Sequence, residues 1–270
     1  MIYIIIFILG LCIGSFLNVV IYRLHKKESF IKGRSYCPKC KHKLVWFDNI
    51  PLVSWLLLKG RCRYCNDKIS LQYPFVELST GVLFVLAFVK TRLMVLNFPV
   101  YHLFEGKAYR FTTSTYLLLF SYFFFISVLI IIFVYDLKWY LILDKITIPS
   151  IVAAGVLNVI LGHSILNLLL AGFIVGGFFL FQFIISRGKW IGGGDIRLGF
   201  LMGIILGWPI AIVALFISYI LGAIVGIGLI VTGKKKMSSQ VPFGTFLSVG
   251  AIIALLYGQE LLRWYMQILL

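Results

Sequence analysis

Acidic side chains are what this chain has least of: nine in 270 residues, against 25 Lys and Arg, for a formal net charge of +16. So few carboxylates cannot supply the charged shell that keeps a soluble domain of this length in water. Charged residues make up 13% of the sequence and hydrophobic ones 61%, with a mean hydropathy of +1.02, whereas soluble domains sit nearer about one half apolar. Soluble classes, secreted or cytosolic, are excluded. Catalytic signatures are also missing. There is no GxSxG elbow and no HExxH helix, and the four histidines (His25, His42, His102 and His163) are scattered over three loops. Serine-hydrolase and zinc-peptidase sets therefore have no basis. Neither a P-loop nor a GxGxxG turn is present to cradle a nucleotide.

Apolar runs fill the chain instead. The first 22 residues, Met1 to Tyr22, carry no charge, and at about 1.5 Å per residue they cross about 30 Å of hydrocarbon. No basic residues precede this run and no small-residue cleavage site follows it around Gly14 and Ser15, so it is expected to stay as a first span. Further runs at about 74–89, 114–134, 147–161, 165–185, 196–207, 209–231 and 244–262 predict an all-α polytopic membrane protein of about eight transmembrane helices. The fourth and sixth are short. Run 196–207 is expected either to thin the bilayer locally or to line a cavity as a partial helix near a site. Small residues spaced by four, at Gly10 and Gly14, Gly172 and Gly176, and Gly222 and Gly226, would let helices approach closely.

The basic residues are unevenly placed between alternating loops. One set holds 20: twelve from Arg23 to Lys68, then Lys138 and Lys145, Arg187, Lys189 and Arg197, and Lys234 to Lys236. The opposite set holds five: Lys90, Arg92, Lys107, Arg110 and Arg263. Because positive loops stay cytoplasmic, both termini are predicted outside. The same bias points to anionic lipid, not nucleic acid, as the partner of the positive charge. The segment from Lys90 to about Thr113, with Pro99, is expected to leave the bilayer on the outer side.

Four of five cysteines form CPKC at Cys37 to Cys40 and CRYC at Cys62 to Cys65, with 21 residues between the pairs. Two thiolates separated by two residues bind one tetrahedral ion from a tight turn, and a second such pair closes the site. On a cytoplasmic face structural disulfides are disfavoured. A small zinc-ribbon-like module over 23–73 is expected, its zinc structural and bound by Cys37, Cys40, Cys62 and Cys65. His42 lies nearby, but four thiolates need no further ligand. Cys12, inside the first span, is expected to pack.

All nine acids can be named: Glu28, Asp48, Asp67, Glu77, Glu105, Asp136, Asp144, Asp195 and Glu260. Asp136, Asp144 and Asp195 lie at span ends on the side assigned as cytoplasmic, where a carboxylate beside lipid is paired, solvated or functional. Asp195 follows Gly192, Gly193 and Gly194, which would permit unusual backbone angles and close approach of a substrate chain. Asp195 would equally serve as a helix cap without chemistry. Asp136 and Asp144 would equally pair with Lys138 and Lys145. Two carboxylates brought together share a proton and can activate water for peptide hydrolysis. Intramembrane carboxylates also carry protons or cations in transporters, and a catalytically inactive scaffold of a secretion machine is a further reading.

These residues resemble the type IV prepilin leader peptidases, polytopic membrane aspartyl proteases, over nearly the whole length. The resemblance rests on GSFLNVVIYRL at Gly14 to Leu24, on RSYCPKCKHKLVWFDNIPLVSWLLLKGRCRYC at Arg34 to Cys65, and on ISLQYPFVELST at Ile69 to Thr80. It continues in DLKWYLILDKITIP at Asp136 to Pro149, in GGGD ending at Asp195 for the family's GxGD, and in VPFGTFLSVGA at Val241 to Ala251. Leu143 departs from the family, which commonly has proline there, and this weakens any role for Asp144.

The resemblance implies catalytic aspartates at Asp136 and Asp195, facing each other across a wet cleft, with Asp144, Gly192 and Gly194 in support. It implies a first span at 1–22, a methyltransferase-associated cysteine loop at 23–73 and a protease core at 74–270. The activity implied is cleavage of prepilin or pseudopilin precursors after a glycine at the cytoplasmic face of a bacterial inner membrane. N-methylation of the new N-terminus from S-adenosylmethionine would follow. No methyltransferase fold is readable, so a peptidase without methyl transfer stays open. Glu77, in the YPFVE string, is the candidate for holding an amine or the donor's sulfonium, with pairing to a neighbouring Lys or Arg as the alternative.

Overall fold

The computed structural model of the protein describes residues 1–97, 108–233 and 241–269. Among them the chain runs through α1 (Ile2–Lys26), a short α2 (Val53–Leu57), α3 (Gln72–Asn97), α4 (Ala108–Trp139) and α5 (Asp144–Ile160). It continues through α6 (Ile165–Ser186), α7 (Gly193–Leu206), α8 (Ile210–Val231) and α9 (Phe243–Leu269). The protein is all-helical; among the described residues, sheet-type pairing is confined to two isolated bridges, Tyr36 with Lys43 and Arg61 with Lys68.

Among the described residues six helices are long and apolar enough to cross a membrane: Ile2–Lys26, Gln72–Leu93, Ser114–Trp139, Ile165–Ser186, Ile210–Val231 and Phe243–Ile268. The expectation of about eight spans thus meets six helices of crossing length and two shorter ones, α5 with 17 residues and α7 with 14. These fall at the two runs that read as short. At about 1.5 Å per residue, α7 reaches only ~21 Å. Large apolar side chains such as Phe173, Phe181, Phe216 and Ile224 are more than half exposed on α6 and α8, a surface suited to lipid.

The chain divides into two compact units, Met1–Glu105 and Gly106–Leu270. In the first, α1 and α3 pack along a line of small residues. A Cβ on Gly10 would lie 2.7 Å from the Cα of Gly81, and one on Gly14 would lie 2.7 Å from the Cα of Glu77. The helices therefore touch backbone to backbone. Arg23, counted above as a loop charge, is buried; its guanidinium donates to the carbonyls of Ser29, Lys32, Gly33 and Arg34 and gathers the loop beneath α1. Cys12 lies on the exposed face of α1, so the expectation that it packs is corrected.

In the second unit α7 lies at the centre, against α5, α6 and α9. Leu198, Leu201 and Met202 have no exposed surface. Its closeness to α6 needs glycine on both sides: a Cβ on Gly203 would sit 2.4 Å from the backbone nitrogen of Gly172. Buried Asn158 of α5 donates to the carbonyls of Ile204 (2.7 Å) and Ile205 (3.1 Å) at the end of α7. A polar side chain thus meets carbonyls that a short helix leaves without internal partners. Of the other predicted packing glycines, Gly222 makes ordinary contact with Phe243 and Phe246, while Gly226 has nothing within 4 Å. Of the segment 90–113 expected as a loop, residues 90–97 continue α3 and 108–113 begin α4; residues 98–107 and the lysines 234–236 lie outside the described residues.

Candidate functional site

Two sites take shape, one in each unit. In the first unit the four predicted thiols converge: the sulfurs of Cys37, Cys40, Cys62 and Cys65 all lie within 4.8 Å of one another, with Cys37 and Cys65 3.9 Å apart. A tetrahedral zinc site with metal–sulfur bonds of about 2.3 Å has sulfur–sulfur edges of about 3.8 Å. The cluster therefore fits one such ion.

Two copies of the same turn build it. The N–H of Cys37 donates to the carbonyl of His42 and that of Lys41 to Cys37, while the N–H of Cys62 donates to Asp67 and that of Asn66 to Cys62. Lys41 and Asn66, at matching places, both have a φ of 60°. The backbone there turns left-handed so that both sulfurs of a pair point the same way. His42 stacks on Tyr64 with ring centroids 3.7 Å apart, bracing one turn against the other. Burial opposes a thiolate at Cys62, yet the N–H groups of Cys65 and Tyr64 and the thiols of Cys37 and Cys65 outweigh it and draw this group down to about 7. Burial pushes Cys37 up and, against the N–H of Asp67, the neighbouring thiols push Cys65 up, so the cluster loses its first proton at Cys62. A thiolate is the form that ligates metal.

Asp48 ties the two halves together, a role the sequence did not disclose. It accepts from Arg63 Nε at 2.8 Å, from the Tyr64 hydroxyl at 3.1 Å and from the N–H of Val45 at 3.3 Å. Its side chain is 3% exposed. Burial would raise its pKa, but the Arg63, Val45 and Tyr64 hydrogen bonds win and hold it below the ordinary carboxylate range. Its stabilising contribution is therefore present above the unfolded value of about 4 and is lost as pH falls through the depressed value.

Glu77 is buried on α3 and accepts the N–H of Leu52 at 2.8 Å; it also meets the side chain of Ser15. Leu52 has φ 59° and ψ −48°, and the N–H of Val53 reaches the carbonyl of Pro51 at 2.6 Å. This three-residue turn is a strained one, so the carboxylate pins a conformation that leucine otherwise avoids. Nearby, Asn18 of α1 bonds the carbonyl of Tyr73 and the side chain of Gln72, whose Oε1 is buried without a partner.

In the second unit Asp136 and Asp195 are both buried, at 5% and 8% exposure, and Asp195 lies within electrostatic reach of Asp136. Asp136 sits in the last turn of α4. Its Oδ2 accepts the N–H of Thr245 at 2.8 Å, in the first turn of α9, where helix N–H groups have no internal partner. Asp195 belongs to the first turn of α7, and its Oδ2 reaches back to the N–H of Gly192 at 3.0 Å. The capping reading thus holds in part: Gly192 is the N-cap and Asp195 completes its hydrogen bond from three residues on.

Gly244 matters as much as Thr245. A Cβ there would come within 2.9 Å of the Asp136 carboxylate and equally close to Ile142. Ile142 also fills the space beside Gly194, whose Cβ would lie 2.8 Å from that of Ile142. One side chain from the turn between α4 and α5 therefore wedges between the two aspartate-bearing segments. The expectation of unusual backbone angles at Gly192–Gly194 is corrected: none of the three has a positive φ, and Gly192 is extended at φ −81° and ψ 154°. Close packing on Ile142, not torsional freedom, is what Gly194 serves.

Asp144 begins α5 and forms an ion pair with Arg197 of α7, not with Lys145. It links the helix after Asp136 to the helix bearing Asp195. Sequence reasoning missed Ile142, Arg197, Gly244 and Thr245. The signal for the last two was the VPFGT string, a Pro and Gly at a helix start.

A buried carboxylate pair among membrane-length helices, accompanied in the same chain by a four-thiolate cluster, defines a multi-helix membrane protein with one site of acids and one of thiols. The chain belongs to the type IV leader peptidase family. Residues 123–227 match that family's model, and residues 8–91 match the bacterial Peptidase A24 N-terminal domain. Each match lies within one compact unit. Proteins called prepilin leader peptidase/N-methyltransferase are similar along most of the chain. That of Aeromonas salmonicida is 33% identical over 98% of this chain and 94% of its own length, and that of Bacillus subtilis is 34% identical over 98% of both. The one from Myxococcus xanthus is 35% identical over 84% of this chain and 63% of its own. No solved structure matches the chain.

Proposed function

We propose that this protein is a membrane aspartyl endopeptidase that removes the leader of type IV prepilin or pseudopilin precursors after a glycine, at the cytoplasmic face of a bacterial inner membrane. It then methylates the new N-terminus. The observation that carries the reading is the buried Asp136 and Asp195 pair, each with Oδ2 engaged by a helix-start N–H. The other oxygen of each carboxyl meets the attacking water. One carboxylate takes the water's proton as oxygen attacks the scissile carbonyl, and the other, protonated, donates to the carbonyl oxygen. Collapse of the tetrahedral intermediate returns a proton to the leaving amine. The cytoplasmic placement rests on the excess of Lys and Arg in the loops joined to these helix ends.

An ion carrier would have no use for the GGGD helix start or the thiolate module. Cys37, Cys40, Cys62 and Cys65 would hold a structural zinc, and its binding would organise a loop too small to fold alone. S-adenosylmethionine supplies an electrophilic methyl group when bound. In the first unit Glu77, one of whose oxygens accepts the Leu52 N–H, is the carboxylate that would face the donor's positive charge.

The test is the full-length protein in lipid with a prepilin-type precursor and S-adenosylmethionine, read by mass spectrometry. The expected product is mature and carries one added methyl. Asp136→Asn and Asp195→Asn each lower cleavage by at least about 10³-fold while zinc content stays unchanged. Cleavage retained in either variant sinks the pair; cleavage without methyl transfer keeps the peptidase alone.

A further inference from the structure

Gln182 of α6 and Tyr219 of α8 are polar side chains set in two otherwise strongly apolar helices. Gln182 Nε2 donates to the Tyr219 oxygen at 2.9 Å, and the Tyr219 hydroxyl is placed to donate to Gln182 Oε1 at 3.2 Å. Tyr219 is 36% exposed, beside the fully buried Ser218, and on α8 only Ala211, Ala214 and Ser218 are buried. The pair thus stands at the rim of the unit, between its core and an apolar outer surface.

That rim adjoins the carboxylates. The Tyr219 ring lies 5.9 Å from that of Phe178 and 5.0 Å from that of Phe243, and Phe243 immediately precedes Gly244, which abuts Asp136. Tyr219 also lies within electrostatic reach of Asp195.

We propose that Gln182 and Tyr219 receive the extended backbone of the precursor beside the bond to be cut. This rests on the peptidase reading above. A peptide unwound next to hydrocarbon exposes N–H and C=O groups that no lipid can satisfy. An amide and a phenol side by side offer both a donor and an acceptor to such a strand. Between substrates they satisfy each other, which lets two polar groups remain in an apolar wall.

A pair that served only to join α6 to α8 would behave differently, and kinetics separate the two. With the full-length protein in lipid, Tyr219→Phe and Gln182→Leu are each expected to raise KM for the precursor by about fivefold, with kcat within about twofold. The double variant is expected to raise it further than either single variant, by less than the product of the two because the side chains touch each other. A double variant no worse than either single one, or a kcat loss with KM unmoved, overturns the proposal. Independently, p-benzoylphenylalanine in place of Tyr219, in the Asp136→Asn background, is expected to crosslink to residues flanking the cleavage point; no crosslink overturns it. Cleavage surviving in both Asp→Asn variants overturns the dyad and this site together. Loss of cleavage there, with KM unchanged in Tyr219→Phe and Gln182→Leu, overturns this site alone.

Discussion

The thiol cluster and the carboxylate pair are assembled differently. In the cysteine module each half is a local turn, with ligand, left-handed residue and closing hydrogen bond inside seven consecutive positions, and the halves repeat one another from Cys37 to Lys43 and from Cys62 to Lys68. The acid site has no such unit. Asp136, Asp195 and Thr245 come from the end of α4 and the starts of α7 and α9, and Ile142 joins them from a turn. A site made of local turns depends on a few bonds within each turn and on the ion that joins them. A site made of distant helix ends depends on every packing contact that sets those ends.

The largest expected effect breaks the first kind. Cys37→Ser or Cys62→Ser should lower bound zinc, measured by elemental analysis, from about one ion per chain to near none, and chelation of the wild type should do the same. Retention of zinc by either variant would separate the cluster from metal binding. The second effect strikes the other kind. Gly244→Ala pushes a methyl group into the Asp136 carboxylate, and cleavage should fall by about 10²-fold; Gly226→Ala, with nothing within 4 Å, should leave it within about twofold.

Asp48→Ala sharpens the contrast within the module. With the ligands intact, it removes the acceptor of Arg63, Tyr64 and the Val45 N–H, and should destabilise the zinc-loaded first unit by about 1–3 kcal/mol. Thermal unfolding followed together with zinc release checks this. Smallest is the Asp144 and Arg197 pair, whose side chains are 51% and 44% exposed. Either alanine variant should cost at most about 1 kcal/mol, and the exchanged pair Asp144→Arg with Arg197→Asp should recover most of it. Recovery in melting temperature without recovery of cleavage would give Asp144 a part beyond linking α5 to α7.

Legibility in the sequence followed the same division. The apolar runs announced the long helices, because length and composition alone decide whether a segment suits hydrocarbon. The two short runs, α5 and α7, were also visible as such. The CxxC spacing announced the thiol cluster, because a tight turn fixes where both sulfurs point. GGGD marked Asp195, though the glycines serve packing on Ile142 and an N-cap, not unusual torsions. Asp48, eight residues after Cys40 and fourteen before Cys62, could not be singled out from an ordinary loop acid. Nor could Glu77 be seen to pin the strained turn at Leu52, since its partner lies in a separate segment.

Hydrophobicity and local spacing, then, were enough to determine that this protein is helical, membrane-embedded and equipped with four convergent thiols, because each of those properties is settled within one helix or one turn. Only the tertiary structure decided that Asp136 takes its hydrogen bond from the start of α9, that Ile142 sits between Gly194 and Gly244, and that Gln182 faces Tyr219. Those contacts depend on how helices distant in sequence pack, and packing is fixed by shape across many residues at once.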